Sequence, residues 1–276
     1  MQQPAWNNLT AEFRRQVETR NCLVLAQLTP NVVTHQVPSK QLAIDWDHVI
    51  LLKYCGGSPQ RRGTTIVWTA YAGFVRTDVA PRTLIDGIER DSPVTWLDMQ
   101  AYTDVSGGRG PLSYVLGRLQ LIPIENKQNH YSWLNGRYLQ TVNPYNSKQA
   151  VRQSLIMLKT TNEILIQDSA ERLIGKWRTA DKIRRVQQMN KEYNDKLYGS
   201  HYLANVQLPP DLKKFRIRVQ ALLMAYVERH LPLNLTTAEM NKVVDAARHN
   251  RPWPLDEPGP TSWGNRAERL PPTTHK

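Results

Sequence analysis

The hydrophobic period of this chain changes once, at Asn143-Pro144-Tyr145-Asn146-Ser147, from about two before it to about 3.6 after it. A change of that kind restricts the fold to one in which strands and helices occupy separate stretches of sequence. Five strand-like runs precede it: CLVLAQLT (22–29), LAIDWDHVILLKY (42–54), TTIVWTAYAGFVRT (64–77), VTWLDMQAY (94–102) and GRLQLIPI (117–124). They are rich in β-branched and aromatic residues and are separated by Gly, Pro, Ser and Asp clusters. Residues 64–77 put Ile66, Trp68, Ala70, Ala72 and Phe74 on one face and Val67, Tyr71 and Val75 on the other, which predicts a central strand covered on both sides. A short helix precedes the strands, with Asn8 or Thr10 as its cap and Leu9, Phe13 and Val17 spaced by four.

Beyond Ser147, a single helical stripe is expected through Val151, Leu155, Leu158, Ile166, Ala170, Leu173 and Trp177, continuing by Ala180, Ile183, Val186, Tyr193 and Leu197 to Gly199. Gly175 is the expected break or bend. A further helix starts after Pro209-Pro210 and turns Leu212, Phe215, Val219, Leu222 and Tyr226 inward. The last begins at the capping box Thr236-x-x-Glu239 and buries Met240, Val243, Val244 and Ala247. The expected class is α+β: a β-rich half over about 22–142, an α-helical half over about 147–249, and an extended Pro-rich tail. The corresponding domains are 1–142, 143–250 and 251–276.

Charge narrows the function classes. With 36 Lys and Arg against 24 Asp and Glu, the chain carries +12 at neutral pH, a balance that favours polyanionic partners. Arginine outnumbers lysine 23 to 13, which favours fixed planar contacts over a diffuse cloud of charge. No run approaches the ~18 consecutive apolar residues of a membrane span, and the first 25 residues lack an apolar signal core. A soluble protein without membrane partners is expected. Two cysteines, Cys22 and Cys55, exclude a disulfide framework and fit a reducing compartment. Cytoplasm, nucleus or the interior of a particle assembled there is the expected location.

Catalytic signatures are weak. Asp45 and Asp47 lie two apart on an expected strand and would share a face able to hold a divalent cation, but neither a third acid at fixed spacing nor an upstream phosphate-gripping glycine motif accompanies them. Cys22, His35, His48 and Cys55 have the residue types of a zinc site and none of its short paired spacings. His130-Tyr131-Ser132 fits half of a two-histidine phosphodiesterase pattern, and His35-Gln36-Val37 breaks the other half. No G-x-S-x-G is present. No cofactor is expected.

Basic segments carry more. GGSPQRRG (56–63) presents Arg61 and Arg62, and SGGRGP (106–111) presents Arg109, on glycine loops that match no nucleotide-binding consensus. Glycine permits close backbone approach to an anion, and an arginine fork fits phosphate. In the helix 175–199, Lys176, Arg178, Lys182, Arg184 and Arg185 are candidate phosphate contacts, with Arg178, Lys182 and Arg185 on one flank. KKFRIR adds Lys213, Lys214, Arg216 and Arg218 at the start of the next helix, where cations oppose the macrodipole.

The tail RPWPLDEPGPTSWGNRAERLPPTTHK holds six prolines and two tryptophans, a composition unlike an inert linker. Trp253, Trp263 and Arg266 are its candidate contacts with neighbouring subunits. The expected function is therefore a non-enzymatic structural subunit of a large nucleic-acid-containing assembly. A viral or phage particle protein fits this character, with RNA or DNA and other copies or subunits as partners. The alternatives are a metal-dependent enzyme acting on nucleic acid through Asp45 and Asp47, or a basic protein–protein adaptor.

Overall fold

A computed structural model describes residues 6–56, 64–92, 94–108, 110–127, 130–145, 152–199, 207–230, 236–239 and 241–242. The chain divides into two compact units, Met1–Phe215 and Arg216–Lys276. The class is mixed α+β, as expected.

The first unit opens with helix α1 (Ala11–Arg20), which buries Phe13 and Val17 and ends on Asn21 in a left-handed conformation. Strand β1 (Cys22–Val24) follows, and Leu25–Gln27 of the same hydrophobic run form a 3-10 turn in place of strand. A six-stranded sheet is then built from β2 (Val49–Tyr54), β3 (Thr65–Thr69), β4 (Gly73–Thr77), β5 (Tyr114–Leu116), β6 (Leu119–Lys127) and β7 (His130–Asn135). Its order is β4-β3-β2-β7-β6-β5, and every neighbouring pair is antiparallel. Every residue of β2 is buried, Lys53 included, as its place inside the sheet requires.

Two expectations in this half are corrected. Residues 64–77 form a hairpin, β3 and β4, and not one strand. Trp68 and Phe74 do share a face, because they are cross-strand partners whose rings stack at 5.1 Å. Trp6 joins them at 5.0 Å from Trp68. VTWLDMQAY is not a strand. Thr95 and Asp98 close a reciprocal capping box, Asp98 N–H to Thr95 Oγ1 at 3.2 Å and Thr95 N–H to Asp98 Oδ2 at 2.9 Å. That box starts a helix at Trp96–Val105, here α3, and α2 (Pro81–Asp91) precedes it.

A second sheet adds β8 (Leu139–Tyr145), β9 (Gln153–Leu158) and β10 (Glu163–Ile166) to β1, in the order β1-β10-β9-β8. The expected helical stripe from Val151 to Ile166 is therefore overturned, and the β-rich part of the chain extends to Ile166. The burial of β9 alternates strictly, through Ser154, Ile156 and Leu158. Leu155 and Leu158 fit a helical spacing only when Ile156 is passed over. The link to β10 is a tight turn in which Thr161 takes φ +70°.

Helix α4 (Ala170–Gly199) begins where the helical reading does hold. It buries Ala170, Leu173, Ala180, Ile183 and Val186 and packs against β5, β6, β8 and β9, so one helix lies across both sheets. Of the break or bend expected at Gly175, the break is absent, and Ala170–Gly199 is one helix. Helix α5 (Pro210–His230) starts on the first unit, where Leu212 is buried and the Phe215 ring stacks on Tyr102 at 3.9 Å. Within the second unit, Ile217 is exposed, and so is Tyr226, against the expectation that it turns inward; the Thr236–Glu239 capping box forms as expected. Met240, Val243, Val244 and Ala247 lie outside the described residues. Among those described, no helix is long and apolar enough to cross a membrane.

Candidate nucleic-acid interface

The outer face of α4 and the strand ends beneath it enclose a cleft of about 850 Å³. From α4 come Arg178, Asp181, Lys182, Arg184 and Arg185; from the sheets come Arg118, Arg137 and Lys159. Among the described residues, seven cationic side chains thus accompany one carboxylate.

Each sheet-borne cation is placed by a local device. Arg118 is the second residue of a two-residue hairpin between β5 and β6, where Gly117 supplies the positive φ of +56°. Gln187 of α4 clamps that hairpin, donating from Nε2 to Val115 O at 2.7 Å and accepting at Oε1 from Gly117 N–H at 3.2 Å. Arg137 sits in the 3-10 turn Gly136–Tyr138, whose entry is set by Arg137 N–H donating to Asn135 Oδ1. Its guanidinium donates to Asp47 O at 3.1 Å. Lys159 follows β9 and donates to Arg137 O at 2.7 Å.

On α4, Asp181 accepts from Nε and Nη2 of Arg184 at 3.2 and 3.0 Å and pairs with Arg185 Nη2 at 2.8 Å. Burial alone would raise the Asp181 carboxyl, but the hydrogen bonds and charges of the two arginines outweigh it and hold the group below the usual carboxylate range. The acid therefore orients two guanidiniums without neutralising the cleft. Arg178 and Lys182 are exposed.

Arg178 and Lys182 also line a second groove of about 540 Å³ on the other side of the α4 ridge. Arg172 and Lys176 join them there, and the opposite wall is the glycine loop after α3, with Gly107, Gly108 and Gly110. Among the described residues no carboxylate lines this groove. A Cβ on Gly108 would lie 2.7 Å from Cγ2 of both Thr103 and Thr179, so the loop reaches α4 only because that position has no side chain. A third cleft, about 560 Å³ and mostly apolar, with four aromatic residues in its wall, shares Gly110 and Pro111 with this groove.

The expected site residues are thus partly gathered. Arg178, Lys182, Arg184 and Arg185 come together in the first cleft. Lys176 does not offer its charge outward. Its side chain is 9% exposed, donating to Pro123 O at 2.7 Å and lying 3.5 Å from Asp168. Burial pushes its ammonium below the ordinary lysine value, offset in part by Asp168; it serves the docking of α4 on β6. Lys213 and Lys214 line neither basic cleft, Lys214 lying 3.8 Å from Asp211. Arg216 and Arg218 belong to the second unit. Arg61, Arg62, Arg109, Trp253, Trp263 and Arg266 lie outside the described residues.

Asp45 and Asp47 are not on a strand: they flank and enter the 3-10 turn Trp46–His48. They therefore share no strand face, and the Asp45 carboxylate is 2.6 Å from His48 Nδ1 instead. Among the described residues no group of three His, Cys, Asp or Glu could hold a metal ion.

Sequence reasoning passes over Arg118, Arg137 and Lys159, although a signal is present for two of them. Gly108-Arg109, Gly117-Arg118 and Gly136-Arg137 are three Gly-Arg dipeptides, and the last two sit at strand ends. Family models, curated proteins and solved structures provide no match to this chain.

Proposed function

We propose that this protein binds nucleic acid through its phosphate backbone, along the α4 ridge, as a non-enzymatic structural subunit of a larger assembly. The observation that carries the reading is the first cleft: seven cations beside one acid, and that acid already held by two of them. Groups drawn from a hairpin tip, a 3-10 turn, a strand end and a helix converge there, as expected of a recognition surface and not of a solvated helix face. Lining the second groove as well, Arg178 and Lys182 extend the positive surface over the ridge. Five of the seven are arginines, which grip phosphate with a planar fork, while Lys159 and Lys182 add point charges. Association with other subunits rests on the tail sequence with its six prolines and two tryptophans, and the basic, tryptophan-rich composition favours a viral or phage particle as the setting.

The test is fluorescence anisotropy of the full chain with labelled oligonucleotides across a salt series. Affinity should fall steeply with salt. Arg178→Glu/Lys182→Glu should weaken it and flatten the slope of log K against log salt by roughly 0.7–0.9 for each phosphate no longer neutralised. Absence of binding at low salt would overturn the reading and leave the basic surface to acidic protein neighbours.

A further inference from the structure

Resting on that reading, we infer that the nucleic acid bound is single-stranded, and that one of its bases enters the aromatic cleft beside the glycine loop. The three clefts are joined by shared walls. Arg178 and Lys182 belong to both basic clefts, and Gly110 and Pro111 to both the second groove and the aromatic one. A strand whose phosphates follow α4 is therefore led over the loop directly to Trp96, Tyr131 and His130.

The chemistry of this third cleft differs from that of the first two. It is walled by Pro81, Trp96, Pro111, His130, Tyr131 and Trp133, mostly apolar surface with ring faces. At about 560 Å³ it is within the usual size of a small-ligand pocket. Its rings are held in place. The Arg82 guanidinium lies 3.8 Å from the centre of the Trp96 ring and is itself fixed to Asp86 at 2.7 Å. His130 packs on Tyr54 with centroids 4.6 Å apart. Trp133 is 5% exposed and belongs to the core. That leaves Tyr131, half-buried, as the ring best placed to stack on an incoming base.

A row of cations ending in an aromatic slot is the arrangement that suits a single strand, because phosphates and bases are then both available. Duplex exposes phosphates and base edges but keeps its base faces stacked, and reaching the slot would require unpairing and flipping a base. The glycine loop is what allows the two chemistries to adjoin, since Gly108 packs the loop on α4 while Gly110 and Pro111 form the rim of the slot.

The experiment compares three labelled probes of equal phosphate number on the full chain: a single strand, the corresponding duplex, and a single strand of abasic residues. The single strand should bind more tightly than the other two, and Tyr131→Ala should reduce its affinity roughly 5- to 150-fold per stacked base. Duplex and abasic affinities and all three salt slopes should be unchanged in Tyr131→Ala, and Tyr131→Phe should restore single-strand binding. Equal affinity for the three probes, with a steep salt dependence, would overturn the single-strand inference and leave phosphate binding standing. A Tyr131→Ala chain that loses all three probes alike, or that Tyr131→Phe does not rescue, would likewise overturn it. Displacement of Tyr131-dependent binding by a peptide of residues 251–276, with no preference among nucleic acids, would assign the slot to the proline-rich tail instead.

Discussion

Gly108 and Gly175 look alike in sequence, each a glycine beside a basic residue on or near α4, yet the structure assigns them opposite tolerances. A methyl group on Gly108 would press within 2.7 Å of two threonine methyls, one on α3 and one on α4, and both sit on packed helices that cannot easily move apart. Gly108→Ala should therefore destabilise the fold by about 1–3 kcal/mol, the usual cost of overpacking, read as a lower urea midpoint with unchanged m-value. Around Gly175 nothing lies within 4 Å of an added Cβ, and the residue is exposed inside a continuous helix. Gly175→Ala should stabilise by about 0.5–1 kcal/mol through the reduced freedom of the unfolded chain. A fall in midpoint for Gly175→Ala, or none for Gly108→Ala, would contradict this packing of the loop on α4. In sequence, Gly108 belongs to a loop expected to approach an anion closely and Gly175 marks an expected break or bend. The packing that requires Gly108 is not visible there, because close approach depends on what lies opposite, and Thr179 is 71 positions from Gly108 in the chain.

The elements show where periodicity is informative and where it misleads. Strands β2 and β6 and helices α1, α4 and α5 are legible because each run is long enough, or its caps clear enough, for one period to dominate, whereas β3 and β4 read as one strand because the alternation continues through their turn. Residues 153–166 are not, since two short strands with a tight turn can imitate a helical spacing when apolar residues are dense. Helix α3 is hidden for the complementary reason: its aromatic residues suggest a strand, and only the Thr95–Asp98 box reveals the start. On α4 the basic flank is legible as a set, but the roles within it divide by burial. Asp181 is the position where this division is testable. Asp181→Asn removes the one described acid of the first cleft and releases Arg184 and Arg185. Polyanion affinity at low salt should then rise roughly two- to fivefold, the size of an exposed charge pair, with the gain fading as salt is added. Because the folded carboxyl titrates below its ordinary value, its stabilising effect is present at neutral pH and is lost as pH falls through the depressed value. The variant should accordingly be less stable than the parent at pH 7, with the difference shrinking below the ordinary aspartate value of about 3.9 and gone once the pH is under the depressed folded value. Equal affinity, or a stability difference that persists in acid, would show that Asp181 does not restrain the two guanidiniums.

At the scale of the whole molecule the question is whether polyanion binding belongs to the fold or merely to a chain of charge +12. The first cleft is assembled from positions 118, 137, 159 and 178–185, on a hairpin of one sheet, a turn between the sheets, the end of an inner strand of the other, and the helix across both. None of these cations is near the others in the unfolded chain, apart from the α4 set, which is why sequence exposes only that set. A ligand that requires the assembled cleft binds the native state alone, and mass action then stabilises the native state by about 2.7 kcal/mol at a hundredfold excess over Kd. For a unit of this size that is roughly a 5–10 °C rise in Tm. A single-stranded oligonucleotide at low salt should produce such a rise, and Arg178→Glu/Lys182→Glu should abolish most of it. If anisotropy instead shows tight, salt-sensitive binding with no change in Tm, the ligand is held equally by the unfolded chain, and the affinity comes from net charge. In that case the hairpin, the turn and the clamp by Gln187 have no part in recognition, and the cleft is only where the surplus charge of a basic protein collects. A Tm rise abolished in the double variant leaves the converse: the strand binds the native state alone, through cations that the folded sheets and α4 bring together, and binding is linked to folding by mass action.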